Sequence, residues 1–255
     1  MSRNTPANPF HAARVQRHTI RHNKFTPQAV YAKLPSAPTN TSPVPHLTSL
    51  YHFDRIDTHG NPNYSGNCGG QLIKDLLRYF QPQSVCDPMA GSGTCRDVCV
   101  EFGIPCFSWD IHEGFDACDP REFDVHEAFD FIWAHPPYWR MKPYLNDPRD
   151  LSRAPTLSDF LHRYAQFIRN AAKALKPNGK LAILMGDLSD REEGYVPLAF
   201  HTKRLAFEAG LRQHCTDIIR FSHETSSSRK TYPFSFIPTL HDTCMIFRKG
   251  TGGRT

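Results

Sequence analysis

Apolar residues recur along this chain with a helical and a strand period, and both become regular only after about residue 67. Apolar side chains at helical spacing predict four helices, while short apolar runs between Gly or Pro residues predict buried strands. The predicted helices cover residues 70–80, 93–102, 157–175 and 197–209, and the predicted strands cover residues 84–87, 104–110, 129–134, 180–186, 215–221 and 242–248.

The order of these elements predicts an α/β fold. Strands alternate with helices as far as residue 209, a pattern typical of a mostly parallel sheet with helices on both faces. No helix separates the last two predicted strands, so we expect them to pair antiparallel at one edge of the sheet. Residues 51–255 are enough for one sizeable domain with its own core.

The N-terminal segment, residues 1–50, differs from this domain in composition. It contains seven prolines and six basic residues but no acidic residue, and the rest of the chain is close to neutral. We predict that it is extended or disordered. Two interpretations stay open: a solvated tail, or a basic arm that lies on nucleic-acid phosphates.

The cysteines and the apolar runs give information about the compartment of the protein and about whether it contains a metal site. The eight cysteines include no CxxC pair and no ligand-like histidine spacing, so we interpret them as small buried residues in a reducing, cytoplasmic compartment and predict no metal site. No apolar run is long enough to cross a membrane, and the N-terminus lacks the apolar core of a secretory signal.

A glycine-rich turn joins the first strand of the domain to a helix. Its sequence, residues 87–94, is DPMAGSGT, which is neither a phosphate loop nor a complete GxGxxG fingerprint. Glycines at such a crossing let the backbone approach a ligand, and the helix N-terminus favours negative charge. Asp110 ends the next predicted strand, where an acidic residue binds the two hydroxyls of a ribose or caps a helix.

A second motif, HPPYW, follows the predicted strand 129–134. Proline cannot donate to a sheet, so the strand must end at this rigid corner, residues 135–139. Two carbonyl groups and an aromatic ring beside them suit a flat, polar ligand group. Together with the glycine-rich turn, the corner predicts that a nucleoside-like cofactor and a planar amino group share a pocket at the strand tips.

These two motifs resemble those of the S-adenosylmethionine-dependent DNA amino-methyltransferases, which methylate N4 of cytosine or N6 of adenine. DPMAGSGT is similar to the family motif DPFxGxGT and HPPYW to [D/N/S]PP[Y/F/W], in the usual order, and the resemblance covers roughly residues 64–249. It implies a class I methyltransferase fold with a seven-stranded sheet, S-adenosyl-L-methionine as cofactor and double-stranded DNA as partner. It also implies that the target base flips out of the duplex.

The resemblance assigns roles to individual residues. Asp110 would bind the ribose, Asp116 would lie near the adenine amino group, and Ile111 or Phe115 would pack on the adenine ring. The segment 64–71 would close over the methionine end. The turn residues that would hold the methionine portion are Asp87, Pro88, Ala90, Gly91, Ser92, Gly93 and Thr94, and the catalytic corner comprises His135, Pro136, Pro137 and Tyr138.

At the corner, the Pro136 carbonyl and the His135 side chain would accept hydrogen bonds from the target amine while Tyr138 stacks on the base. His135 replaces the Asp, Asn or Ser usual in the family, which leaves cytosine and adenine equally open as targets. A neutral imidazole has one acceptor nitrogen and a protonated one has none, so we expect activity to fall as the pH drops. The alternative is a structural residue at the strand end.

Recognition of the target has few candidates, because no large insertion follows the corner. Trp139, Arg140 and Lys142 come directly after the corner. Arg229 and Lys230 lie in a loop between the last two predicted strands. The alternative for this loop is a solvated hairpin loop that contacts no ligand. No cysteine nucleophile is placed for methylation at C5 of cytosine. The alternatives are methylation of an RNA base or a protein amide, or a non-catalytic nucleic-acid-binding relative; a restriction partner stays unknown.

Overall fold

The computed structural model describes residues 39–52, 58–221 and 237–251. Most of the N-terminal segment, as well as Arg229 and Lys230, lies outside these residues. Within the described end of that segment, Val44 is buried and Leu50 begins a short strand.

Four α-helices, three short 3₁₀ helices and ten strands make up the regular structure of the described residues. The helices are α1 (Gln71–Phe80), α2 (Thr94–Phe102), α3 (Leu157–Ala174) and α4 (Leu198–Glu208). The strands are β1 (Leu50–Tyr51), β2 (Val85–Asp87), β3 (Cys106–Ser108), β4 (Phe129–Ala134), β5 (Leu175–Met185), β6 (Leu188–Asp190), β7 (Gly194–Val196), β8 (Arg212–Gln213), β9 (Ile218–Phe221) and β10 (His241–Arg248).

The main sheet has the order β1-β9-β10-β5-β4-β2-β3, with β8 also paired to β10. Its pairs β2–β3, β2–β4, β4–β5 and β1–β9 are parallel, so the predicted α/β class with a mostly parallel sheet is confirmed. The sheet has eight strands rather than seven. Strands β9 and β10 pair antiparallel as expected, but β10 lies inside the sheet, between β5 and β9, and not at an edge.

The missed strands are short ones. Strand β1 has two residues, and the separate β6–β7 hairpin has three in each strand, too few for a period to show. Pairing of β1 with β9 buries Tyr51 and moves the edge of the sheet one strand beyond the predicted position.

Two hydrophobic cores lie on opposite faces of the sheet. Helices α3 and α4 cover one face, where Phe160, Tyr164 and Phe167 are fully buried. Helices α1 and α2 cover the other, around Ile73 and Val98. Strands β4 and β5 contribute to both cores, which explains why they appear in the sequence as continuous apolar runs rather than alternating ones.

The parallel strands β2, β4 and β5 point the same way, so their carboxyl ends meet at one edge of the sheet. In open α/β sheets this edge is where ligands bind. Asp87 ends β2 and Ala134 ends β4, so the sheet delivers the glycine-rich turn and the HPPYW corner to neighbouring positions. None of the helices in the described ranges combines the length and the apolar character needed to span a bilayer.

Candidate active site

A cleft of about 760 Å³, partly open to solvent, lies at the carboxyl ends of β2 and β4. From the corner, His135 and Pro137 line it, while Gly93, Pro136 and Tyr138 are not among its lining residues. The structure thus brings the two sequence motifs to one cleft. The predicted cofactor residues that line it are Asp87, Pro88, Ala90, Gly91, Ser92, Thr94, Asp110, Ile111 and Asp116.

The glycine-rich turn folds tightly between β2 and α2. Gly91 and Gly93 have φ angles of +47° and +79°, in the left-handed region that favours glycine. A Cβ on Gly91 would also lie 2.9 Å from the ring of Tyr64. Gly93 is the N-cap of α2, and Thr94, the first residue of that helix, lines the cleft.

Asp87 places a carboxyl group at the bottom of the cleft. Its side chain accepts a hydrogen bond from the Met89 N–H at 3.2 Å, and the residue is 3% exposed. Burial raises the pKa of Asp87 well above its ordinary value, and the nearby Cys106 raises it further. Among the described residues, none of the ion pairs involves Asp87.

Asp110 combines the two roles that its position suggested. One oxygen accepts the Gly91 N–H at 2.8 Å, and the other accepts the His112 N–H at 2.9 Å and contacts the His112 ring at 2.6 Å. Asp110 therefore caps the short 3₁₀ helix Ile111–Glu113 and also holds the glycine-rich turn through the Gly91 N–H. In addition, it lines the cleft. A carboxylate has about four acceptor positions, so it retains capacity for a ligand hydroxyl.

Asp116 also lines the cleft and is held in place by its neighbours. Its carboxylate accepts the Cys118 N–H at 2.9 Å and pairs with Arg163 at 3.1 Å. Phe115 also lines the cleft and packs on Trp109 with 4.8 Å between ring centroids. The acidic and aromatic residues predicted from the sequence as candidate contacts of an adenine therefore lie side by side.

Two tyrosines lie near the turn, Tyr64 from the segment 64–71 and Tyr144 from the stretch that follows the corner. Tyr64 stacks on Tyr144 with 5.8 Å between ring centroids, and both line the cleft. Burial, followed by the negative charge of Asp110, raises the pKa of Tyr64. The loop that carries Tyr64 is tied to the turn, because the Asn61 N–H donates to the Ser92 carbonyl at 2.9 Å.

The loop that carries Tyr144 is organised by Asp150, a residue that the sequence analysis missed. The buried Asp150 carboxylate accepts the N–H groups of Tyr144, Leu145 and Ser152 at 3.1, 2.8 and 2.9 Å. Asp150 and Leu151 themselves line the cleft. The sequence signal was weak, since an Asp two residues before a Ser is a common turn pattern.

The HPPYW corner is stabilised by contacts with β5 and with itself. The His135 Nε2 lies 2.9 Å from the Tyr138 hydroxyl. The Tyr138 ring packs directly over Gly186, which follows β5: a Cβ there would lie 2.6 Å from ring atom Cε2. A side chain at position 186 would therefore displace the ring.

Trp139 was predicted as a substrate or DNA contact, and the structure contradicts this. Its side chain is fully buried, packs near Phe160 and donates from Nε1 to the Ala154 carbonyl at 2.9 Å. Its φ of +47° is unusual for a bulky residue. The core contact holds the chain in this turn, so Trp139 positions the corner from the inside and does not face a ligand.

The basic residues after the corner differ in their availability. Arg140 forms a bidentate pair with Asp190 at 2.6 and 3.1 Å and also contacts Glu192 at 2.9 Å. Its hydrogen bonds lower the pKa of Asp190 to about 2. Arg140 thus links the β6–β7 hairpin to the corner, and these ion pairs argue against its predicted contact with the target. Lys142 is exposed, with its Nζ 5.8 Å from the Tyr144 ring centroid.

A buried ion pair lies beside the cleft, at the end of β9 and the start of β10. Arg220 donates to the two oxygens of Asp242 at 2.9 and 2.6 Å, with both side chains about 5% exposed. Although burial alone would lower it, the Asp242 carboxylate raises the pKa of Arg220. Arg220 also donates to the carbonyl of Cys68, which lines the cleft. The sequence did contain a signal for this ion pair, because a basic and an acidic residue each lie in a predicted apolar strand.

No protein-family model matches this chain, and no curated protein matches it. Among solved structures, a Thermus thermophilus protein provisionally assigned as a DNA modification methylase, in complex with S-adenosyl-L-methionine, is 22% identical with a TM-score of 0.40; the match covers 55% of each chain. An S-adenosylmethionine-dependent methyltransferase from Archaeoglobus fulgidus is 15% identical with a TM-score of 0.44, over 71% of this chain and 95% of that one.

A Burkholderia thailandensis 1,6-didemethyltoxoflavin-N1-methyltransferase, with bound S-adenosylhomocysteine, is 15% identical with a TM-score of 0.44, over 71% of this chain and 77% of that one. This chain thus spans about half the length of the Thermus protein.

Proposed function

We propose that this protein is a methyltransferase that uses S-adenosyl-L-methionine and methylates the exocyclic amine of a DNA base, N4 of cytosine or N6 of adenine. The observation that carries the proposal is the shared cleft: the glycine-rich turn and the His-Pro-Pro-Tyr corner meet at the ends of two adjacent strands. The motif resemblance supplies the chemistry, and the basic N-terminal segment favours a nucleic acid as substrate.

The residues of the cleft fit the proposed cofactor. The buried Asp87 carboxyl would bind the ammonium of the methionine portion, and the glycine-rich turn leaves room for its carboxylate near the start of α2. Asp110 would accept the ribose hydroxyls, with the partly exposed His112 ring moving aside. Asp116 would accept from the adenine amine, with Phe115 against the ring. When bound, the cofactor would supply a methyl group on a sulfonium centre.

The corner would activate and orient the target amine. The lone pair of this amine is delocalised into the base, so two acceptors for its hydrogens favour the pyramidal form that can attack. The Pro136 carbonyl and His135 would be these acceptors, with Tyr138 beside the base. Their contribution is orientation and electrostatics, since the rigid Pro-Pro corner needs no rearrangement during the reaction.

The contact between His135 and Tyr138 would determine which nitrogen of the neutral imidazole accepts a hydrogen bond from the target amine. If the His135 Nε2–H donates to the Tyr138 hydroxyl across their 2.9 Å contact, Nδ1 becomes the acceptor of the neutral ring. We therefore expect methyl transfer to fall about tenfold per pH unit below about pH 6, where imidazole ordinarily takes up a proton. The His135→Asn variant keeps an acceptor that does not titrate, so its profile should stay flat. A flat profile for the parent would contradict the role.

Substitution of Gly186 tests the position of Tyr138. Because a Cβ would lie 2.6 Å from the Tyr138 ring, Gly186→Ala should move the ring and lower the rate of methyl transfer by about 100-fold. Cofactor affinity should change little, because Gly186 does not line the cleft. Gly250→Ala is the matched control, since a Cβ there meets no atom within 4 Å. Equal rates for the two variants would contradict the assignment.

The decisive experiment measures transfer of a tritiated methyl group from S-adenosylmethionine to duplex DNA, single-stranded DNA and RNA, with cofactor affinity measured by calorimetry. We expect labelled N4-methylcytosine or N6-methyladenine in DNA. Label in RNA alone would replace DNA by RNA as the substrate. If the protein binds the cofactor but transfers no methyl group to any nucleic acid, nucleic acid is rejected as the substrate. If it does not bind S-adenosylmethionine, the whole proposal is rejected.

A further inference from the structure

Three cysteines converge behind the glycine-rich turn, outside the residues that line the cleft. Cys95 and Cys99 lie in α2, and Cys106 begins β3. Their three sulfur atoms all lie within 4.8 Å of one another. In the parts of the chain that the structure describes, no other group of three or more cysteine, histidine or acidic side chains comes together in this way.

The sequence analysis predicted no metal site because it compared spacings with those of known motifs. The fold brings these three cysteines together although their spacing in the sequence matches no such motif. Residues four apart on a helix share a face, so Cys95 and Cys99 both point into the core between α2 and the sheet, where each is 0% exposed. Cys106 pairs with the buried Val85 in the adjacent strand, which aligns it with the same core, and it is half-buried.

Metal ions bind the thiolate form of cysteine, and three sulfur atoms this close together can share one ion. A buried thiolate among apolar residues is costly unless a cation compensates it. Sulfur atoms at this separation need to contract only slightly, since bonds of ~2.3 Å in a tetrahedral site place ligands ~3.8 Å apart.

We propose that Cys95, Cys99 and Cys106 form a three-sulfur site for one soft d¹⁰ cation, of the class of Zn²⁺ or Cu⁺. Binding forms three metal–sulfur bonds and releases the protons of the thiols still protonated, so affinity decreases at low pH. The cation would tie the first two turns of α2 to β3. Because α2 begins at Gly93, the site would fix the glycine-rich turn from behind. The proposal is independent of the proposed methyl transfer.

The first test titrates the reduced, chelator-treated full chain with Zn²⁺ in competition with a chromophoric chelator, and with Cd²⁺ as a spectroscopic probe. We expect one ion per chain and an ultraviolet thiolate-to-cadmium charge-transfer band. Cys99→Ser and Cys106→Ser should each lower affinity by at least about 100-fold. The control variants are Cys118→Ser, which is buried in the other core, and Cys215→Ser, which is exposed. Unchanged affinity in both cluster variants would overturn the proposal.

A second measurement uses the unaltered chain, so that it does not depend on whether a variant folds. Cys106 is half-buried and Cys215 is exposed, so both should react with an alkylating reagent in the reduced protein. Zn²⁺ should slow alkylation of Cys106 at least about tenfold and leave Cys215 unchanged. Equal protection of both residues, no protection of either, or a disulfide within the cluster in place of bound metal would each reject the site.

Discussion

The Asp87→Asn variant should lose at least about 30-fold in affinity for S-adenosylmethionine, because removing one partner of a buried charge pair costs about 2–5 kcal/mol. The proposed partner is the ammonium of the cofactor. Asn has the same shape as Asp and keeps an acceptor for the Met89 N–H, so the glycine-rich turn should stay folded. Calorimetry with S-adenosylmethionine and with S-adenosylhomocysteine measures the loss, which should be similar for both.

The same variant should be at least as stable as the parent at neutral pH. Burial raises the pKa of Asp87, so the folded state holds its proton more tightly than the unfolded state does. Stability therefore falls as the pH rises from the unfolded pKa of about 3.9 toward the raised folded one, and Asn removes this loss. The gap in melting temperature should widen from pH 4 to pH 7. Asp119→Asn is the control, since it lies outside the cleft and its partner Arg121 is exposed; equal affinity losses in both variants would contradict the role of Asp87.

The Arg220→Met variant should lose about 3–5 kcal/mol of stability, because it leaves the Asp242 carboxylate buried without its partner. For a domain of this size, that corresponds to a fall in melting temperature of about 10 °C. Affinity for the proposed cofactor should fall as well, because Arg220 also holds the carbonyl of Cys68 at the cleft. Thermal melts and calorimetry on the same preparation measure the two effects.

Two further variants separate the buried charge from a general effect of losing an arginine. Arg121→Met removes an arginine whose side chain is 88% exposed, and it should cost at most about 1 kcal/mol. The double variant Arg220→Met, Asp242→Leu replaces the pair by apolar side chains and should recover most of the lost stability. If Arg220→Met melts no lower than Arg121→Met, the ion pair is not a main source of stability.

Local patterns in the sequence were sufficient to predict the central part of the sheet and the two motifs that meet at the cleft. Helix α1 was predicted to within one residue, since it shows one apolar face and a clear stop, and β4 was predicted with its observed bounds from a continuous apolar run. The glycine-rich turn and the corner were recognisable because glycine permits backbone conformations that other residues rarely adopt, whereas proline fixes φ and cannot donate a backbone hydrogen bond.

What the sequence could not give depends on contacts between distant segments. Trp139 follows the corner directly and has an aromatic ring suited to stacking, but its contact with Ala154 turns it into the core. Arg140 is basic and near the corner, but Asp190 and Glu192 neutralise it. The Arg220–Asp242 pair and the cysteine cluster likewise require the register of strands and helices, which no local pattern encodes.

Strand β10 runs antiparallel to both of its neighbours, β5 and β9, and this direction affects where the sequence can vary. Strand β9 ends and β10 begins at the edge of the sheet that carries the cleft, so the connection between Phe221 and His241 both departs from that edge and returns to it. We expect the strand pairing to tolerate changes of length and sequence between these two anchor residues. A library randomised there would therefore keep the sheet, and for the proposed methyl transfer it offers a direct route to engineered specificity.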